Sequence, residues 1–202
     1  MNKFETRFFK GMAIRLSDPE DPAGPQLSGH IAVFNQLSED FGGWREKIEP
    51  GAFAESIGRD DIRALWNHEN DLVLGRNTAG TLTLSEDETG LFFRNTPPDT
   101  TWFKDRVVSI RRKDVTGASF GFYTESDNWE KVDGVDIRTL KKVTLVEVSP
   151  GVTFPAYPQT DVAIRSLEAW RKTIPVESGQ PDAVSATLLL RQRRLRLIEH
   201  GL

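Results

Sequence analysis

Three side chains in this sequence have types that can break an acyl bond together: Ser119, His68 and Glu147. A serine hydroxyl is a poor nucleophile at neutral pH until an imidazole takes its proton, and the imidazole needs a third group to fix its tautomer. Ser119 sits in Gly117-Ala-Ser-Phe-Gly121, a literal G-x-S-x-G. His68 closes an apolar strand candidate within Trp66-Asn-His-Glu-Asn70. Glu147 lies in Val143-Thr-Leu-Val-Glu-Val148, where period-two alternation puts it on the face of Val143 and Leu145. A carboxylate there is costly to bury without a cation or a donor, and an imidazole would serve. Each residue also has a plain structural reading. The serine can mark a tight β-bend, the histidine can be a hydrogen-bonded surface group, and Glu147 can pair with Lys141 or Arg138. Residue types alone leave these open.

The G-x-S-x-G match does not make an α/β-hydrolase. That elbow is a strand–turn–helix, with the triad running serine, acid, histidine. Here strand-like residues follow Gly121, and the only later histidine is His200. The amides around Phe120-Gly121 are candidate oxyanion donors, with Phe120 and Phe122 flanking the serine and one of them expected in the core.

Other chemistries are poorly supplied. There is no cysteine, hence no disulfide and no thiolate ligand. Three histidines, at 30, 68 and 200, are too scattered for a histidine metal site. Asp60-Asp61 and Glu86-Asp-Glu88 lack ligand spacing with other donors and read as solvated turns. No metal and no cofactor is expected. The net charge of −4 gives no global attraction to nucleic acid or anionic lipid. The opening MNKFETRFFK has no apolar run of signal-peptide length, and no stretch approaches the ~18 apolar residues of a membrane helix. A soluble, unexported chain is expected.

The elements that must position these residues are mostly strands. Alternation marks Phe4 to Phe8 and Met12 to Leu16, and His30 to Phe34 is a short apolar strand. Ser17 to Ser28 and Gln36 to Pro50 read as irregular, and Gly51 to Ile57 as one or two helical turns. Ile62 to Trp66 and Leu72 to Leu74 are strand candidates, the second stopped by Gly75. Thr81 to Ser85 and Leu91 to Arg94 form a hairpin. Asp99 to Lys113 is the best helix, with Phe103, Val107 and Ile110 on one face. Strands follow over Thr116 to Thr124, Trp129 to Val132, Val135 to Leu140 and Val143 to Val148, with a tight turn at Asp133-Gly134. A short amphipathic helix runs from about Asp161 to Trp170. Residues 1–165 read as one β-rich domain, 166–182 as a helix end and flexible linker, and 183–202 as a helix carrying Arg191, Arg193, Arg194 and Arg196.

Several segments, taken together, resemble the prohead (capsid maturation) serine proteases of tailed bacteriophages. They are Ser28-Gly-His-Ile-Ala-Val-Phe-Asn35, Glu46-Lys-Ile-Glu-Pro-Gly-Ala-Phe53, and Leu65-Trp-Asn-His-Glu69 with Leu74-Gly75. Gly117-Ala-Ser-Phe-Gly-Phe122 follows, then Leu145-Val-Glu-Val-Ser-Pro150 with Thr153-Phe-Pro-Ala-Tyr157. The resemblance implies an α+β fold similar to herpesvirus assemblin, a small and mostly antiparallel β-barrel flanked by helices. It implies His68, Ser119 and Glu147 as catalytic residues, in the chain order that the elbow reading could not supply. It also implies a role: an endopeptidase inside the procapsid, in the host cytoplasm. Its partner would be the major capsid protein with its scaffolding domain, and it would cut that domain and commonly itself. Association between copies is left open. The alternative on the same fold is an assembly or scaffold-binding protein that does not cut.

Overall fold

Two long strands organise the chain. β9 (Gly117–Val132) and β10 (Val135–Val152) form one antiparallel hairpin. Asp133 and Gly134 turn it at φ of 51° and 82°, as a two-residue turn between right-twisted strands demands. The computed structural model describes residues 3–10, 14–17, 25–153 and 161–174. Expectations for residues 11–13, for most of the Pro-rich stretch near residue 20, and for everything from 175 onward, including the Arg-rich helix, lie outside these.

Before the hairpin come β1 (Phe4–Lys10), β2 (Arg15–Leu16), β3 (Leu27–Val33), β4 (Trp44–Ile48), α1 (Ala54–Arg59), β5 (Arg63–Trp66) and β6 (Glu69–Arg76). A 3-10 turn (Asn77–Ala79), β7 (Leu82–Glu86), β8 (Gly90–Asn95) and α2 (Thr101–Arg111) follow, and α3 (Asp161–Arg171) comes after β10. One sheet runs β1-β9-β10-β5-β6, with β4 also on β10; the other runs β2-β3-β8-β7. Pairing is antiparallel except where β4 and β5 lie parallel to β10. The fold is therefore α+β and mostly strand, but the expected barrel is not there: the strands form two separate sheets, not one closed ring.

The core fills the space between the sheets. Leu27, Ile31, Leu91 and Phe93 meet Ala118, Phe120, Phe122, Leu145 and Val148, and α2 adds Phe103, Val107 and Ile110. Phe120 and Phe122 are both fully buried here: one is expected in the core, and the other joins it instead of lining the site. A second cluster joins Trp44, Trp129, Ala163 and Leu167. It seats α3, helped by Trp129 Nε1 donating to Ser166 Oγ at 2.8 Å and Arg171 Nε to Asp136 at 2.8 Å.

β4 lies in the stretch read as irregular. Its inward positions are Trp44, Glu46 and Ile48, and an acid in the middle hides the alternation. Glu46 is buried because two buried arginines meet it: Arg7 Nε at 2.5 Å and Arg138 Nη1 at 3.1 Å. Both arginines also bind Glu5, at 2.8 and 2.9 Å. This network ties the edge strand β1 to β4, β9 and β10 on the core side of the sheet.

Candidate active site

His68 reaches its place through a tight hairpin. β5 and β6 pair antiparallel, with Trp66 opposite Glu69 and only Asn67-His68 between them. Both turn residues take positive φ, 53° and 62°, which Asn and His tolerate better than most residues. The end of β10 pins the turn. Asn67 N–H donates to Gly151 O at 2.9 Å, and His68 N–H donates to Ser149 Oγ at 3.1 Å. Position 151 must be glycine, because a Cβ there would stand 2.3 Å from the buried Trp66 ring.

Glu147 reaches its place through a β-bulge. Leu145 lies opposite Phe122 and Glu147 opposite Gly121, so Val146 is an extra residue in the ladder. Residues directly opposite each other share a face. Leu145 therefore faces the core with Phe122, whereas Glu147 points to the other side with Gly121. The expectation that Glu147 shares a face with Val143 and Leu145 is corrected by this one residue, since each inserted residue inverts the alternation. The two cations considered for Glu147 are occupied elsewhere: Lys141 faces Glu49, and Arg138 belongs to the buried network.

The bulge and the hairpin bring His68 and Glu147 together. His68 Nδ1 lies 2.7 Å from Glu147 Oε1. Ser149 Oγ donates to the other carboxylate oxygen, Oε2, at 2.8 Å. A carboxylate only accepts, so Nδ1 carries a proton, and in the neutral imidazole Nε2 is then the acceptor. Nε2 is buried, with no hydrogen-bond partner among the described residues. Beside the pair opens a cleft of about 490 Å³ lined by the apolar Phe4, Leu65, Val73 and Val146.

Ser119 stands on this same face of the sheet, opposite Ser149 in the β9–β10 ladder and opposite Phe8 in the β1–β9 ladder. Its hydroxyl is not on the histidine. It is fully buried and donates to Arg7 O at 2.8 Å. Phe8 and Phe4 fill the space over Gly117 and Gly121 on either side, 2.1 and 2.3 Å from where a Cβ would be. The structure thus pairs His68 with Glu147 and puts Ser119 one strand away with its proton given to β1.

The family model for the caudovirus prohead serine proteases matches residues 12–173. The chain belongs to that family. No curated protein matches it. Among solved structures it is similar to the capsid assembly protease of bacteriophage T4, at 9% identity and a TM-score of 0.45, over 75% of this chain and 99% of that one.

The description of the prohead protease family is that of serine proteases. Among the described residues no group of three or more His, Cys, Asp or Glu side chains could hold a metal ion, and no helix is long and apolar enough to cross a membrane. The other described histidine, His30, pairs with Asp87 at 2.8 Å on the smaller sheet, and Asp87 also accepts from the Thr89 and Gly90 amides of the β7–β8 turn. Sequence reasoning passed over Ser149. Its signal was its place two residues after Glu147, which on a regular strand means the same face.

Gly121 gives a direct test of the pairing. A methyl group there would meet Glu147 Oε1 at 2.6 Å and the half-exposed Phe4 ring at 2.3 Å. Both can yield, so Gly121→Ala is expected to fold while pushing the carboxylate off Nδ1. A displacement of that kind costs about 10²-fold in rate. Peptide cleavage at the wild-type rate by this variant would show that the Glu147 position does not matter.

Proposed function

We propose that this chain is a serine endopeptidase that cuts the scaffolding part of the major capsid protein, and itself, inside the maturing procapsid. The observation that carries the reading is the 2.7 Å contact of His68 Nδ1 with Glu147, on the sheet face that also bears Ser119. Membership of the prohead protease family supports a substrate in the procapsid. Opposite residues on antiparallel strands have Cα atoms about 4.5–5.5 Å apart, so Ser119 lies next to the residue that touches the His68–Glu147 pair. Rotation about its Cα–Cβ bond takes the hydroxyl off Arg7 O, and the partnerless Nε2 is the base available to it.

The chemistry is acyl transfer. Ser119 Oγ attacks the peptide carbonyl carbon as its proton passes to His68 Nε2, and Glu147 steadies the imidazolium. His68 then returns the proton to the leaving amine as the C–N bond breaks. Water, deprotonated by the same nitrogen, releases the acyl group and restores Ser119. Enclosure with the substrate gives a high effective concentration, so modest intrinsic activity suffices.

One observation favours the non-cutting alternative: Ser119 is fully buried and hydrogen-bonded to backbone. Co-expression of the wild type and of Ser119→Ala with the cognate capsid protein, followed by intact-mass analysis, decides between them. Cleavage of the capsid protein or of the chain by the wild type alone is expected. Equal cleavage by both forms removes Ser119 as nucleophile. Assembled shells with uncut precursor in both point to the assembly role.

A further inference from the structure

We infer that Ser149 is a positioning residue of this site, acting on both members of the His68–Glu147 pair through a single hydroxyl. The inference rests on the endopeptidase reading for its catalytic consequence, and on hydrogen bonding alone for its geometry.

Ser149 is fully buried at the end of β10, and its Oγ meets three groups. It donates its only proton to Glu147 Oε2 at 2.8 Å, accepts from the His68 backbone N–H at 3.1 Å, and lies 3.5 Å from His68 Nδ1. The first contact fixes the carboxylate. With Oε2 held by the hydroxyl, Oε1 is turned to Nδ1, and the glutamate side chain loses its rotamer freedom before the histidine binds. The second contact fixes the turn. His68 sits at a positive φ that a β-hairpin imposes on it, and Ser149 accepts the amide hydrogen of that strained residue. One oxygen therefore sets the distance between acid and base from both sides.

The same geometry separates the two serines that face each other across the ladder. Ser149 lies at the Nδ1 edge of the imidazole, where Glu147 already takes the ring proton, and its own proton is on Oε2. It cannot hand a proton to Nε2. Ser119 carries no such commitment to the pair, so the nucleophile and the positioning residue are distinguishable by experiment.

Ser149→Ala removes one buried oxygen from a strand position and leaves the core untouched. Two readouts apply. In the Ser119→Ala background, which needs no activity, the downfield proton NMR resonance of His68 Nδ1–H is expected to be present, and to broaden or vanish when Ser149→Ala is added. In the otherwise wild-type chain, kcat for precursor cleavage is expected to fall about 10- to 100-fold with KM little changed, as for the loss of an outer-shell orienting group. An unchanged resonance, or a rise in KM at constant kcat, overturns the positioning role. Abolished cleavage in Ser149→Ala alongside retained cleavage in Ser119→Ala overturns it too, by making Ser149 the nucleophile. If the wild type does not cleave yet the resonance still depends on Ser149, the positioning role holds and the endopeptidase reading falls.

Discussion

Glu147→Gln is expected to slow cleavage of the capsid precursor about 10⁴-fold, the loss seen when a triad acid becomes its amide, with the fold intact. The reason is the proton on the imidazole. In the wild type both carboxylate oxygens accept, Oε1 from His68 and Oε2 from Ser149. An amide of the same shape has one oxygen and one NH₂. The Ser149 hydroxyl already accepts from the His68 amide and needs an acceptor for its own proton, so it selects the amide oxygen for the Oε2 position. The NH₂ is then left facing Nδ1. A donor there forces the lone pair onto Nδ1 and the proton onto Nε2, and Nε2 can no longer take the Ser119 proton. Single-turnover rates against pH measure the loss, and nitrogen NMR of His68 reports the tautomer. A rate within tenfold of the wild type, or a proton still on Nδ1, would remove Glu147 from the mechanism. Glu147→Ala lacks the NH₂ and is expected to cleave better than Glu147→Gln, because it leaves the tautomer free.

How legible this arrangement is from the sequence depends on what each signal required. The strands β1, β3, β7 and β8 and the inward face of α2 are legible in the sequence and present in the structure. The alternation of β1 nevertheless misleads about its faces: the charged Glu5 and Arg7 are buried and Phe4 is half-exposed. The three candidate site residues could be named from residue types and motif resemblance. Their geometry could not. The bulge at Val146 leaves no mark in composition, yet it decides which side of the sheet Glu147 occupies. β4 is hidden in the sequence because its central inward residue is Glu46, and a buried acid is readable only once Arg7 and Arg138, 39 and 92 residues away, are known to meet it. The sequence pattern of β6 stops at Gly75, but the strand continues to Arg76. That glycine is a close approach, with the Asn95 side chain 2.6 Å from its missing Cβ. The barrel failed for a different reason: closure is a property of how strand edges meet, and no single strand encodes it.

The buried ion network also bears on how Ser119 is held. Arg7 gives its side chain to Glu5 and Glu46, and its carbonyl to the Ser119 hydroxyl. Phe4 and Phe8, on the opposite face of the same strand from Arg7, cover the glycines flanking the serine. β1 is an edge strand, so what keeps it on β9 also keeps Ser119 turned away from His68.

Arg138→Met tests this anchoring and is expected to destabilise the chain by about 3–5 kcal/mol at pH 7, as when one partner of a buried ion pair is removed. Arg138 is almost fully buried, with Glu5 at 2.9 Å, Glu46 at 3.1 Å and Asp127 at 2.6 Å. Without it the two buried carboxylates lose the second guanidinium that they share with Arg7. Domains are stable by only about 5–15 kcal/mol, so such a loss is a large fraction of the total. The pH dependence identifies the cause. Burial pushes the Glu5 carboxyl upward, but the hydrogen bond from Arg138 and the charges of Arg7 and Arg138 outweigh it and bring it from 4.5 down to about 2. A carboxyl depressed by folding contributes its full stability above 4.5 and loses it as pH falls toward 2. Arg138→Met removes most of that depression while burial remains, so Glu5 takes up its proton at higher pH. The stability gap between the two chains is therefore expected to be widest near neutrality and to narrow below pH 4, read from urea unfolding at pH 7 and pH 3.5. A gap below 1 kcal/mol at pH 7, or one independent of pH, would mean that the network does not hold the fold. The anchoring of β1 has its own readout: in mild urea, where both chains remain folded, Ser119 in Arg138→Met is expected to react faster with a fluorophosphonate than Ser119 in the wild type, because the strand that takes its hydroxyl proton has lost part of its hold.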